Sequence, residues 1–180
     1  MPAPTPDDRV TDLGGGQLLV CEDSTEAHWV GWWRDVVLVV VHEQAHRDAR
    51  HVEVGAALIE RLVRETKRPV RLLAVASPGQ TRPPEAQVRQ ALTNAARQLE
   101  GHVGRVAVVV LGTGFGPAIH RGVVAGVTAL LRSRLALKVV GTVPEGLAYL
   151  REGGEPGAGD APLDALARAA ERLSRGAASS

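Results

Sequence analysis

One stretch constrains the fold of this chain more than any other: an apolar run that ends in a glycine-rich bend. Residues 106–111 read Val-Ala-Val-Val-Val-Leu, and the bend reads Gly-Thr-Gly-Phe-Gly before Pro117. An apolar run without polar alternation is typical of a strand covered by helices on both faces, as in parallel sheets. Proline suits the first turn of a helix, where its missing N–H has no helical partner. The stretch therefore predicts a buried parallel strand followed by a helix.

Along the rest of the chain, apolar runs alternate with segments whose apolar residues have helical periodicity. The sequence predicts further strands at 17–22, 35–42, 70–76 and 137–143, and helices at about 49–67, 85–99 and 117–134, with a short closing helix from Pro144. The connections are long enough for right-handed crossovers between parallel strands. We therefore expect an α/β fold with a single-layer, mixed, mostly parallel sheet of about five strands and crossover helices.

The ends of the chain differ in composition from this centre. Residues 1–15 contain three prolines, acidic residues and a glycine run, which indicates a disordered N-terminal arm. The α/β domain is expected over 16–151, and a Gly/Pro-rich linker over 152–162. Residues 163–175 predict a short amphipathic helix whose apolar stripe includes Leu163, Leu166 and Leu173.

Charge and cysteine content exclude several functional classes. The formal net charge is +1, which gives no concentrated basic surface for nucleic acid. A single cysteine, Cys21, excludes an intramolecular disulfide and a zinc cage of several cysteines. Neither a signal peptide nor a membrane-spanning run is apparent, so we expect a cytoplasmic protein without a membrane span.

The pattern His42-Glu43-Gln44-Ala45-His46 spells H-E-x-x-H. On an α-helix the two histidines would share a face and could bind zinc, with Glu43 as the base. His42, however, ends a valine-rich strand, and charged residues follow His46. Solvated histidines at a strand end are the preferred interpretation, with no metal and no cofactor expected. A zinc-dependent hydrolase through His42 and His46 remains the alternative.

The bend after the central strand is the candidate ligand site. Backbone N–H groups at a helix start could hold a phosphate, and strand carboxyl ends are where open α/β sheets bind ligands. The chain has neither a Walker A motif nor a complete G-x-G-x-x-G fingerprint. A tight turn is therefore the simpler interpretation. The candidate residues for a phosphate or an apolar ligand are Gly112, Thr113, Gly114, Phe115 and Gly116.

Three tryptophans, Trp29, Trp32 and Trp33, lie in one polar stretch. Tryptophan packs in cores, and it is also enriched at protein interfaces. Core packing at one end of the sheet is favoured. The alternative hypothesis is that these tryptophans and the C-terminal leucine stripe are contact surfaces for a protein partner or for self-association.

The end of the predicted sheet resembles SpoIIAA-like (STAS/SEC14-type) domains. The resemblance depends on the strand 106–110, the crossover of about 20 residues, and the segment Lys-Val-Val-Gly-Thr-Val-Pro-Glu-Gly-Leu-Ala-Tyr-Leu at 138–150. Glu145, Ala148 and Leu150 match the closing helix of those domains, with Tyr149 in the aromatic position. The resemblance spans residues 16–151. It implies a mixed sheet with a leading antiparallel edge and a non-enzymatic role in protein or apolar-ligand binding.

One departure from that family concerns phosphorylation. Phosphoregulated members carry an Asp-Ser-Ser/Thr-Gly box, where this chain has Ser77-Pro78-Gly79-Gln80-Thr81. Ser77 and Thr81 are the hydroxyls there that could accept a phosphate, but the box is missing. We therefore expect a regulatory or scaffold domain that acts through protein–protein interaction without a phosphoswitch. The alternatives are the zinc hydrolase and a small-molecule sensor at the glycine-rich bend.

Overall fold

The computed structural model describes residues 10–13, 18–77, 84–112, 135–152 and 161–175. The strands are β1 (Val10–Asp12), β2 (Leu18–Ser24), β3 (His28–Trp33), β4 (Val36–Val41), β5 (Val70–Ala76), β6 (Val103–Val110) and β7 (Leu137–Val140). The helices are α1 (Arg50–Thr66), α2 (Ala86–Gln98), α3 (Val143–Arg151) and α4 (Ala161–Arg175). A 3-10 helix at Glu43–His46 follows β4.

The strands form one sheet in which they lie side by side in chain order. Strands β1 to β4 pair antiparallel, and β4 to β7 pair parallel. The predicted α/β fold with a single mixed sheet is confirmed. The expected count of about five strands is wrong, because the described residues form a 7-stranded sheet. Parallel pairing also predominates only from β4 onward.

The two strands that the sequence did not predict lie in the antiparallel half. Strand β1 falls within residues 1–15, which were expected to be disordered; Leu13, after it, is buried in the core, and residues 1–9, 14 and 15 lie outside the described residues. Strand β3 reads His-Trp-Val-Gly-Trp-Trp and is buried on both faces. Its histidine and glycine residues break the apolar pattern by which a strand is predicted. Its backbone is paired with β2 on one side and with β4 on the other.

Alternate residues of the central strands face two different helical layers. Val37 and Val39 of β4 pack in one apolar cluster with Leu58 and Ile59 of α1. Leu38, between them, packs in a second cluster with α3 and α4. This alternation follows from the two-residue period of a strand. Both faces of the central parallel strands are therefore covered, as the valine-rich runs predicted.

Helix α3 is fixed at both ends by side chains. At its start, the Thr142 hydroxyl accepts the backbone N–H of Glu145 (3.3 Å), and the Glu145 carboxylate accepts the N–H of Gly141 (3.1 Å). At its end, Arg71 donates to the Leu150 carbonyl (3.4 Å) and Arg105 to the Tyr149 carbonyl (2.9 Å). These bonds satisfy groups that helix ends leave without helical partners. They orient α3 with its C-terminus at the amino end of the parallel strands.

The C-terminal helix belongs to the same hydrophobic core as the sheet. Helix α4 begins at Ala161, inside the predicted linker, and its residues Leu163 and Leu166 are buried with β4, β5 and α3. Residues 153–160 lie outside the described part of the chain, as does the predicted helix at 117–134. Within the described ranges, no helix has the length and apolar content needed to cross a membrane.

Candidate functional site

The carboxyl ends of the parallel strands bring together polar residues that are distant in the sequence. His42 directly follows β4, Ser77 follows β5, and Leu111 follows β6. Backbone hydrogen bonds continue between these segments, from Ser77 N–H to the Val41 carbonyl (2.9 Å) and from Leu111 N–H to the Ala76 carbonyl (3.2 Å). Because β3 runs antiparallel, its first residue, His28, lies opposite Val41 at this same edge. We call this edge the carboxyl edge.

His42 and Ser77 form a buried hydrogen bond at the carboxyl edge. Their Nδ1 and Oγ atoms are 2.7 Å apart, and the residues are only 7% and 6% exposed. Burial lowers the pKa of His42, and the neighbouring His28 imidazole acts in the same direction. A neutral imidazole beside a serine hydroxyl is a nucleophile–base arrangement in enzymes. Here, however, both side chains are shielded from solvent, and the Ser77 N–H already binds Val41.

This geometry also bears on the predicted phosphate acceptors. Ser77 is buried and its hydroxyl is engaged with His42, so it is not accessible to a kinase in this conformation. That placement contradicts the assignment of Ser77 as an acceptor, because a buried hydroxyl would first have to leave its partner. Thr81, the second predicted acceptor, lies outside the described residues.

His28 is completely buried and is held by hydrogen bonds on both ring nitrogens. The Thr25 hydroxyl oxygen accepts the N–H groups of Ala27 (3.1 Å) and His28 (3.3 Å). Its own hydrogen then remains for His28 Nδ1, 3.1 Å away. In the neutral ring the proton therefore sits on Nε2, which donates to Asp23 Oδ2 at 2.8 Å. Every polar atom of this buried ring is thereby satisfied.

Asp23 connects His28 to the start of α1. Arg50 donates to both Asp23 carboxylate oxygens, at 2.8 and 3.2 Å. These hydrogen bonds lower the pKa of Asp23, with a smaller contribution from His28, while partial burial opposes them. A bidentate Arg–carboxylate pair fixes orientation as well as charge. The pair therefore ties β2 to the N-terminus of α1 across the carboxyl edge.

His51 completes a group of three buried histidines. Its ring centroid lies 6.0 Å from that of His28, and it is 8% exposed. Its Nδ1 atom is buried and has no hydrogen-bond partner among the described residues. Burial lowers the pKa of His51 to about 4, and His28 acts in the same direction, while Asp48 opposes the shift. An unpartnered buried nitrogen makes the charged ring costly, so His51 is neutral at physiological pH.

The H-E-x-x-H segment does not adopt the geometry that zinc binding needs. His42 precedes a 3-10 helix that contains Glu43 and His46, instead of sharing an α-helix with them. Residues four apart lie about 120° apart around a 3-10 helix, against about 40° on an α-helix. His42 binds Ser77, and His46 Nδ1 binds the Glu43 carbonyl. Among the described residues, no group of three or more His, Cys, Asp or Glu side chains could hold a metal ion.

The glycine-rich bend is described only at its first residue. Gly112 has φ 113°, a value that glycine adopts readily and other residues rarely do. Thr113, Gly114, Phe115 and Gly116 lie outside the described residues, so the predicted ligand site stays a prediction. The strand order is also relevant to this predicted ligand site. Ligand crevices in open α/β sheets form where the strand order reverses, whereas β4 to β7 keep the order of the chain.

Most of the predicted contact surface is buried within the chain. Trp29 and Trp33 lie in the apolar cluster beneath α3 and α4, which agrees with the core interpretation. Leu163 and Leu166 are 7% and 0% exposed in that cluster. Their burial contradicts the assignment of these four residues to an exposed surface, because α4 turns its apolar stripe onto the sheet. Leu173 is partly buried against the same cluster.

Trp32 differs from the other two tryptophans, because it faces the α1 side and is partly exposed. It lies directly opposite Val20 on β2, and Leu18, two residues earlier on β2, shares that face. Leu18 is 48% exposed. Arg61 of α1 covers one side of the Trp32 ring at 5.0 Å and forms a bidentate pair with Glu22 (2.8 and 2.9 Å). We call Leu18, Val20 and Trp32, with their Glu22–Arg61 border, the β2–β3 strip.

Comparisons with known proteins add no relative from which to transfer a function. No family model, curated protein or solved structure matches the chain.

Sequence reasoning missed the residues that build the carboxyl edge around His28. Asp23, Thr25 and His28 lie within a short polar stretch that was not assigned to a hairpin. The signal in the sequence was the pair of apolar runs on either side of the short turn at residues 25–27, which is typical of a β-hairpin. The Asp23–Arg50 and His42–Ser77 contacts join residues 27 and 35 positions apart, and no local pattern indicates them.

Proposed function

We propose that this chain is a non-catalytic regulatory or scaffold domain of the STAS type that acts by binding another protein. Two observations support the STAS-type assignment. The sheet is mixed, with a leading antiparallel edge, as the resemblance implies. The segment that carries the resemblance at 138–150 contains a strand followed by a capped helix.

The observation that carries the binding role is the β2–β3 strip. Leu18 is the large hydrophobic residue that stands exposed among the described residues, and it adjoins Val20 and Trp32. Arginine and tryptophan are enriched at the centres of protein interfaces, where water is excluded. The Trp32 ring is held in place by Arg61, so binding would cost little side-chain entropy.

A second copy of this chain is the occupant that the strip fits. The strip is bordered by one carboxylate and one guanidinium, Glu22 and Arg61. A two-fold interface places the same patch on both partners, so the Glu22–Arg61 pair of one copy can lie beside that of the other, each carboxylate near the partner's guanidinium. The apolar centre and the balanced border make the surface complementary to itself. We therefore propose a two-fold dimer formed through the β2–β3 strip.

The substitution Leu18→Glu tests this proposal with little risk to the fold, because the side chain is half exposed. Native mass spectrometry over a concentration series should show wild type at twice the chain mass of 19.0 kDa. Leu18→Glu should weaken the dimer about tenfold or more, because it would bury an unpaired carboxylate in the apolar centre of the interface. Gln90→Glu, which adds the same charge to the exposed side of α2, is the matched control and should dimerise normally.

Two results would contradict the proposal. Wild type could remain a monomer throughout the series, which would remove the second copy as the occupant. Alternatively, Leu18→Glu could dimerise as tightly as Gln90→Glu, which would place the interface elsewhere. Circular dichroism of both variants should match wild type, so that a loss of the dimer is not a loss of the fold.

A further inference from the structure

Exposed charges of opposite sign collect at the two ends of the strands. The amino ends of the parallel strands and the helix C-termini beside them form the amino edge. Exposed cations that make no ion pair within the described residues lie there: Lys67, Arg68, Arg97 and Lys138. Exposed carboxylates that likewise make no ion pair within the described residues lie at the carboxyl edge: Glu26, Glu43 and Glu53. The exposed cations Arg47 and Arg50 at that edge are paired with Glu85 and Asp23, and Arg89 donates to the Pro84 carbonyl.

Part of the segregation follows from the direction of the helices. Helices α1 and α2 begin near the carboxyl edge and end near the amino edge, because each leads from one parallel strand to the next. Acidic residues are favoured at helix N-termini and basic residues at C-termini. Glu53 lies in the first turn of α1, while Arg97 lies in the last turn of α2. Charges that suit individual helices therefore accumulate at opposite edges of the molecule.

The two edges are far enough apart to act as separate surfaces. Seven residues of β5 separate them, which corresponds to roughly 23 Å at the rise of a strand. The Debye length at physiological ionic strength is about 8 Å. Among the described residues, the unpaired charges of each edge therefore have one sign, and the opposite edge does not cancel them.

We propose that the amino edge of one copy binds the carboxyl edge of the next, so that copies associate head to tail along the strand direction. Complementary charge on one chain makes a second copy the matching partner for both surfaces. Such an interface joins different patches of the two copies, so it does not close on itself and leads to open-ended growth. The inference is independent of the two-fold dimer, since the β2–β3 strip belongs to neither charged surface.

Charge reversal at each edge tests the proposal. Sedimentation velocity should show concentration-dependent oligomers of wild type at about 0.02 M salt, and they should weaken tenfold or more by about 0.3 M, as the Debye length falls from about 20 to about 6 Å. The double variant Lys67→Glu with Arg68→Glu should not form them, nor should Glu26→Lys with Glu43→Lys. Arg168→Glu, in the middle of α4, is the control and should behave as wild type.

Mixing the two double variants gives the decisive result. Each reversed edge then meets a partner edge of opposite sign, so an equimolar mixture should regain the oligomers that neither variant forms alone. Failure of the mixture to associate overturns head-to-tail pairing, as does association of wild type that is indifferent to salt. Leu18→Glu separates this proposal from the strip dimer, because it should leave the salt-sensitive growth intact.

Discussion

Lowering the pH should destabilise this protein through His51, and the structure gives the size of the effect. The pKa of His51 falls from 6.5 to about 4 on folding, chiefly because the ring is buried. Between these values the unfolded chain binds a proton that the folded chain does not. The stability that neutral His51 contributes is therefore complete above pH 6.5 and is lost as the pH falls toward 4. At pH 5 the loss is about 2 kcal/mol, and below pH 4 about 3 kcal/mol.

Urea unfolding at pH 7.5 and pH 5 measures this loss, with His51→Phe as the test variant. Phenylalanine fills a similar volume and cannot take up a proton, so the variant should lose about 2 kcal/mol less than wild type between the two pH values. His42, whose pKa is also lowered, should leave some residual dependence of the same sign. An unchanged pH dependence in His51→Phe would refute the reasoning.

The remaining predictions concern stability. Gly31→Ala should lower the free energy of unfolding by about 3–5 kcal/mol, because the added Cβ would overlap the Val20 carbonyl. Urea unfolding measures this loss, and a loss below about 1 kcal/mol would be inconsistent with this packing. Leu166→Ala should cost about 2–5 kcal/mol if α4 belongs to the core, and a cost near zero would mean that the helix is undocked. Ser77→Ala and His42→Ala should each cost about 1–3 kcal/mol, and a double-mutant cycle should show that they are not additive.

Much of the parallel half of the sheet could be predicted from the sequence. The strand predicted at 70–76 coincides with β5, and the helix predicted at about 85–99 contains α2 with one residue to spare at each end. Gly101, shortly after that helix, has φ 81°, a value that glycine adopts readily. These segments could be predicted because the strand is buried on both faces and the helix on one face. Their apolar patterns therefore follow from strand and helix geometry alone.

The antiparallel half and the carboxyl edge could not be predicted in the same way. Strand β3 contains His28 and Gly31, and its burial depends on β2, β4 and α1 packing around it. The His42–Ser77 bond depends on two strands being neighbours in parallel register. The preferred interpretation of solvated histidines is wrong for His42, because no local pattern could show that its ring is buried against Ser77.

Amide hydrogen exchange at low and high protein concentration tests most directly whether the β2–β3 strip binds a second copy. At high concentration, wild type should gain protection in peptides covering β2 and β3, and Leu18→Glu should gain none there. Measurements in about 0.3 M salt suppress head-to-tail contacts, so the signal reports on the apolar strip alone. Exchange in β2 and β3 that does not change with concentration would contradict the proposed binding surface.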